Sequence, residues 1–210
     1  MAPITGIKER LHNYYFSSWI ADTRKGGLGV SKDLSFKSDM NLFYTDLGNH
    51  FRTNMKCAGH LPSDRTMRIQ RVGICVSFSD RMHYERFFNE TSFTLKVLGN
   101  SAFAFEPLDL CKKKKLPFTA SGAPRPMPGN SITLFEPNRS HPGTSSYETQ
   151  IDMNAETPPA ITIPTRADFH LKLESGADFT EVMQQLESGE LQGYAEITGI
   201  LDVVHVRDIL

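Results

Sequence analysis

Along Thr66–Phe78 apolar and polar side chains alternate, and the alternation changes phase midway. Met67 and Ile69 share one parity, whereas Val72, Ile74, Val76 and Phe78 take the other. Side chains of a strand alternate with period two, so both groups reach one core only if an extra residue is inserted between them. The pattern predicts a long bent strand with a bulge or bend near Gln70–Arg71. A strand whose ends bury different faces, crossing between two sheets, reads the same way. The polar turn at Leu61–Asp64 starts it.

Shorter segments of the same kind follow. Phe93, Leu95 and Val97 alternate with Thr94 and Lys96, and Phe103 and Phe105 come after a Gly99-Asn100 turn, which predicts a hairpin. SITLFEP (131–137), SYETQID (146–152) and AITIP (160–164) are further strand candidates. In ADFHLKLES, Phe169, Leu171 and Leu173 oppose His170, Lys172 and Glu174. The last strand is GYAEITGILDVVHVRDI, with Ala195, Ile197, Leu201 and Val203 on one parity. Phe179, Val182, Met183 and Leu186 form a stripe at helical spacing and predict a short helix over 179–188.

The N-terminus reads differently. Ile4, Ile7, Leu11, Tyr14 and Ser18 follow the three-and-four spacing of one helical face, with Tyr15 and Trp19 beside it. An amphipathic helix is expected over 4–20, ended by the KGGLG stretch at 25–29, which is also a candidate hinge. Such a helix packs across its own domain or forms an arm that docks on a neighbouring subunit or a membrane surface. The arm residues are then Ile4, Ile7, Leu11, Tyr14, Tyr15 and Trp19. The whole predicts an all-β chain of about eight strands. An arm at 1–30 precedes one domain at 31–210, with long loops near 111–130 and 136–146.

Composition fits one such domain. The chain has 210 residues, 39% hydrophobic and 22% charged, which allows a packed core. A formal net charge of −1 builds in no global attraction to nucleic acid or anionic membrane, so any such attraction is local. The three cysteines, Cys57, Cys75 and Cys111, show no metal-type spacing, and no apolar signal segment follows the N-terminus. Folding in a reducing cytoplasm is expected. No run approaches the roughly 18 apolar residues of a spanning helix.

Candidate chemistry is sparse. The seven histidines form neither HxH nor HExxH. His83 and Glu85 are conceivable ligands of a β-barrel metal site, with His60 or His205 as a third, because such a site needs three or four N/O donors on one ion. His170 and His205 are read as exposed strand residues. No GxSxG, GxGxxG or GxxxxGK[ST] occurs, and Cys75 lies opposite in parity to Val72, Ile74 and Val76. Neither an enzyme nor a cofactor is expected. Lys112, Lys113, Lys114 and Lys115 are the strongest local charge, either a solvated loop or a contact for phosphates.

The order of segments adds a resemblance. TNMKCAGHLPSDRTMRIQRVGICVSF, the hairpin TSFTLKVLGNSAFAFEPLDL, ITIPTRADFHLKLES and the closing EITGILDVVHVRDIL resemble the jelly-roll major capsid proteins of tailless icosahedral bacteriophages. The likeness covers residues 50–110 and 158–210. It implies a single jelly roll of two antiparallel sheets and a structural virion protein, assembled in the host cytoplasm. Its partners would be its own copies in trimeric capsomers, and other shell or vertex proteins. Genome or an internal membrane would be met through the lysine run or the arm. Two other readings stay open: a cupin-like metalloenzyme or carbohydrate-binding jelly roll, and a phage receptor-binding or vertex protein.

Overall fold

The computed structural model describes residues 7–31, 34–43, 53–55, 59–60, 66–107, 131–135 and 149–209. Of these, 7–9, 81, 131–135, 149–160 and 207–209 are described by backbone alone. In chain order the elements are β1 (Ile7–Asp22), β2 (Gly29–Val30), β3 (Asp39–Leu42), β4 (Thr66–Phe78), α1 (Arg81–Glu90), β5 (Thr91–Val97), β6 (Asn100–Phe105), β7 (Ser131–Phe135), β8 (Thr149–Ile163), β9 (Phe169–Ser175), α2 (Ala177–Ser188) and β10 (Tyr194–Ile209).

Two antiparallel sheets face each other. The long one runs β2-β1-β10-β4-β8-β7 and the short one β3-β9-β5-β6. Setting aside the two-residue β2 and the edge strand β7, the eight remaining strands nest: first beside last and third beside sixth in one sheet, second beside seventh and fourth beside fifth in the other. That wrapping is a jelly roll, as expected.

Inward side chains of both sheets fill the space between them. Val72, Ile74, Val76, Ile197, Leu201 and Val203 on one side meet Leu42, Leu95, Leu171 and Leu173 on the other, all essentially inaccessible. Midway along β10 the inward position is Gly199. A Cβ there would lie 3.1–3.2 Å from Leu42, Leu171 and Phe43, so the short sheet comes closest at this point.

The phase change in β4 is a bulge. Ile69 pairs with Val203 and Arg71 with Asp202, which leaves Gln70 as an extra residue on β4. Met67, Ile69, Val72, Ile74, Val76 and Phe78 are all buried, while Gln70 and Arg71 are both exposed. One inserted residue thus lets both parities serve one core.

The N-terminal helix is not formed. Ile7–Asp22 is a strand that pairs with β10 over its whole length, from Ile7↔Ile209 to Asp22↔Tyr194. The three-and-four spacing competes with a run of strand-forming residues, Tyr14-Tyr15-Phe16 and Trp19-Ile20. A helix of this length is marginal alone, and a sixteen-residue ladder outweighs it. Trp19 and Ala21 are buried inward. Residues 7–22 therefore belong to the body of the long sheet, and a separate arm ending at residue 30 does not hold.

The KGGLG stretch closes this strand, not a helix, and Asp22 organises it. The Asp22 carboxylate accepts from Arg24 Nε (2.8 Å) and Nη2 (3.1 Å) and from the Leu28 amide (2.9 Å). Arg24 lies over the Tyr194 ring at 4.7 Å. A Cβ on Gly27 would fall 2.4 Å from the Asp22 carboxylate, so the turn needs glycine there.

Two helices close one end. The stripe on α2 is as expected, with Phe179, Met183 and Leu186 buried. α1 is not anticipated from the sequence; Asp80 caps it by accepting from the Met82 amide at 2.9 Å. The β5–β6 turn sits one residue earlier than expected: Val97 pairs with Asn100, and Leu98 and Gly99 both have positive φ (51° and 77°). That is the requirement of a two-residue I′ turn.

Candidate functional site

An aromatic chain runs through the closed end. Trp19 meets Phe36 at 4.8 Å, Phe36 meets Phe179 at 5.7 Å, and Phe179 meets Phe78 and Phe87 at 6.0 and 5.8 Å. Phe87 continues to Phe93, which stacks on Phe105 at 5.4 Å. Trp19, read as a docking residue from the sequence, is thereby a core residue. Glu90, the last residue of α1, accepts from the Phe179 amide at 2.9 Å and caps α2, whose own N-cap is Gly176. A Cβ at Gly176 would meet that carboxylate at 2.7 Å.

His83 lies in this end. It is 7% exposed, its ring is 6.2 Å from Phe78, and its Nδ1 has no hydrogen-bond partner. Burial pushes its pKa below the usual histidine value; Asp80 opposes this and Arg86 reinforces it. His205 is also buried, at 2% exposure, and Tyr15 Oη lies 2.8 Å from its Nε2 with the rings T-shaped. The expectation of an exposed His205 is corrected: it shares parity with Ala195, Ile197, Leu201 and Val203, and points inward with them. His170, expected exposed, is half-buried on β9, and burial and then Lys96 lower its pKa. His60 pairs with Asp168 at 2.7 Å, near the β9 start.

These histidines do not converge. His205 is in register with Met67, at the start of β4, and His83 packs on Phe78, at its end. Eleven residues of extended strand separate those positions, about 35 Å. Among the described residues no three of His, Cys, Asp and Glu group as metal ligands.

The other end, around the β4 bulge, is built differently. β1 and β10 continue beyond β4, whose pairing with β10 begins at Thr66↔Val206. The outward positions of β1 are Arg10, His12 and Tyr14, all exposed, with Tyr14 at 60%. Leu11, also expected to dock, is 41% exposed. His12 is in register with Val204 and Val204 with Arg68, so His12 and Arg68 flank one β10 residue, about 10 Å apart across the sheet. Tyr14, Asp202 and Arg71 form the next row.

Of the other expected site residues, Ile7 pairs with Ile209, Tyr15 is half-buried, and Ile4 lies outside the described residues. So do Lys112–Lys115, the turn at 61–64 and the two long loops. The Asp22–Arg24–Tyr194 cluster and the Glu90 cap were missed in the sequence. Asp followed by Arg and a Gly-Gly pair hints at the first, whereas the second joins residues far apart in the chain. No protein-family model and no curated protein matches this chain.

Proposed function

We propose that the protein is a structural capsid protein of a tailless icosahedral bacteriophage, self-assembling through symmetric, trimeric capsomers into the shell of the virion. The observation that carries this reading is the jelly-roll strand order together with an interior occupied by hydrocarbon. Inward positions at mid-barrel are Val72, Ile74, Leu171, Leu173, Ile197 and Leu201. A binding or catalytic jelly roll places a few polar groups among the apolar ones of its barrel; at mid-barrel this one packs aliphatic side chains of the two sheets against each other. Its specific chemistry is then at its surface, where copies meet. The cupin-like alternative gains nothing from His83 and Glu85 on α1, His60 beside β9 and His205 on β10, because among the described residues no three of them group as metal ligands.

Electron microscopy of the purified chain, with sedimentation velocity over a concentration series, tests the reading. Trimers or closed particles are expected, with interfaces above ~2,000 Å² in total per subunit, as in obligate assemblies. A monomer at every concentration overturns it.

A further inference from the structure

We propose that the outer face of the long sheet, beside the β4 bulge, binds the phosphate backbone of single-stranded nucleic acid. The proposal names a partner for the shell protein and to that extent rests on the capsid reading, but its test needs no assembly. Arg10 and His12 come from β1 and Arg68 from β4, all outward and exposed. Arg10 and His12 are two residues apart on one strand, about 7 Å. Among the described residues none of the three forms an ion pair. Arg71, by contrast, has acidic residues in register on both sides, Asp202 and Glu156.

Two arginines with no acidic partner among the described residues, on a chain of net charge −1, are a local positive field that attracts anions, and His12 between them offers a ring N–H to a phosphate oxygen. The bulge contributes to it. By inserting Gln70 it keeps Ile69 and Val72 in the core while Arg68, Gln70 and Arg71 all remain exposed within four positions. Tyr14, 60% exposed and one row from His12, supplies a ring on which an unpaired base stacks. A lipid surface would need an apolar anchor on the same face as the arginines; Val204, between His12 and Arg68, is only 6% exposed, and Leu11, 41% exposed, is paired with His205 on the opposite face.

The test is fluorescence anisotropy of a labelled oligothymidylate titrated with the full chain at several sodium chloride concentrations. Each phosphate neutralised on a single strand contributes about 0.7 to the slope of log K against log salt. Arg10→Gln/Arg68→Gln is expected to flatten that slope by about 1.4. The double lysine variant, which keeps both charges, is expected to restore it. Tyr14→Ala is expected to weaken binding about tenfold at fixed salt with the slope unchanged. Circular dichroism confirms that each variant is folded. Replacing Lys112–Lys115 with glutamine in parallel separates any binding by that run.

An unchanged slope in the arginine variant overturns the proposal. So does a wild-type chain that ignores the oligonucleotide, or one that binds phosphatidylserine vesicles instead. A chain that forms particles but binds no oligonucleotide sinks this proposal alone; one that binds but stays monomeric sinks the capsid reading alone.

Discussion

The two ends of the sandwich are made from the same three strands, β1, β10 and β4, yet they are finished in opposite ways. At the helix end the strands run under α1 and α2, and their inward aromatic residues there, Trp19 and Phe78, join an aromatic chain that reaches Phe105. At the bulge end β1 and β10 outrun β4, and the outward positions of β1 are Arg10, His12 and Tyr14 in solvent. Cohesion is concentrated at one end and accessible chemistry at the other. A sheet sandwich can be sealed firmly at one end while the other keeps side chains free for a partner, because each strand needs burial on only one face.

Five perturbations probe this division. The largest effect is expected from deleting Gln70. Without the extra residue, either Met67 and Ile69 or the Val72–Phe78 set turns to solvent, since a one-residue slip reverses every side chain. No soluble folded protein is expected; a cooperative melt at wild-type temperature would show that the bulge is dispensable. Phe179→Ala comes next. It removes the ring touching Phe36, Phe78 and Phe87, and the midpoint of urea unfolding should fall by the equivalent of about 3–5 kcal/mol.

Asp22→Asn should cost about 1–2 kcal/mol, discounted because Arg24 is partly exposed. The Arg24 hydrogen bond is the main cause of the Asp22 carboxyl's lowered pKa, and burial opposes it. The folded value therefore lies below the unfolded one, near 3.8. The resulting stabilisation is complete above the unfolded value and is lost as pH falls through the folded one. Acid unfolding monitored by near-ultraviolet dichroism should be less steep in the variant; equal steepness would remove Asp22 from the account. Glu90→Ala takes away the cap that α1 lends to α2, a loss of about 1 kcal/mol in the same urea assay. At the bulge end, Tyr14→Ser should change stability by less than about 0.5 kcal/mol. A larger loss there would mean that this end is also part of the cohesive core.

His83 distinguishes the helix end in a further way. Its folded pKa lies below the unfolded value of 6.5, with burial as the main cause. The unfolded chain therefore takes up the proton first, and the stability present above pH 6.5 declines as pH falls through that value toward the folded one.

Legibility in the sequence followed the range of the interaction. The bulge at Gln70–Arg71 was readable because a parity change within one strand has few physical explanations. The stripe of α2 and the alternation of β9 were readable for the same reason: both report local burial on one face. β1 was misread because its apolar positions satisfy a helical spacing, and the pairing that decides between helix and strand is with a segment near the far end of the chain. α1 was missed because, among its residues whose side chains are described, only His83, Phe87 and Phe88 are buried, too few for a clear stripe. Nothing local marks Glu90 as the cap of a helix eighty-odd residues later.

By itself, then, the order of polar and apolar residues determined that this chain is a β sandwich with a filled interior and where its longest inner strand must bend, because period-two alternation is a property of neighbours along the backbone. Which strands lie together, that the first segment is one of them, and that Arg10, His12, Arg68 and Tyr14 share one face were decided only by the tertiary structure. Hydrogen-bond ladders between distant segments set those relations, and no local pattern encodes the identity of a partner strand.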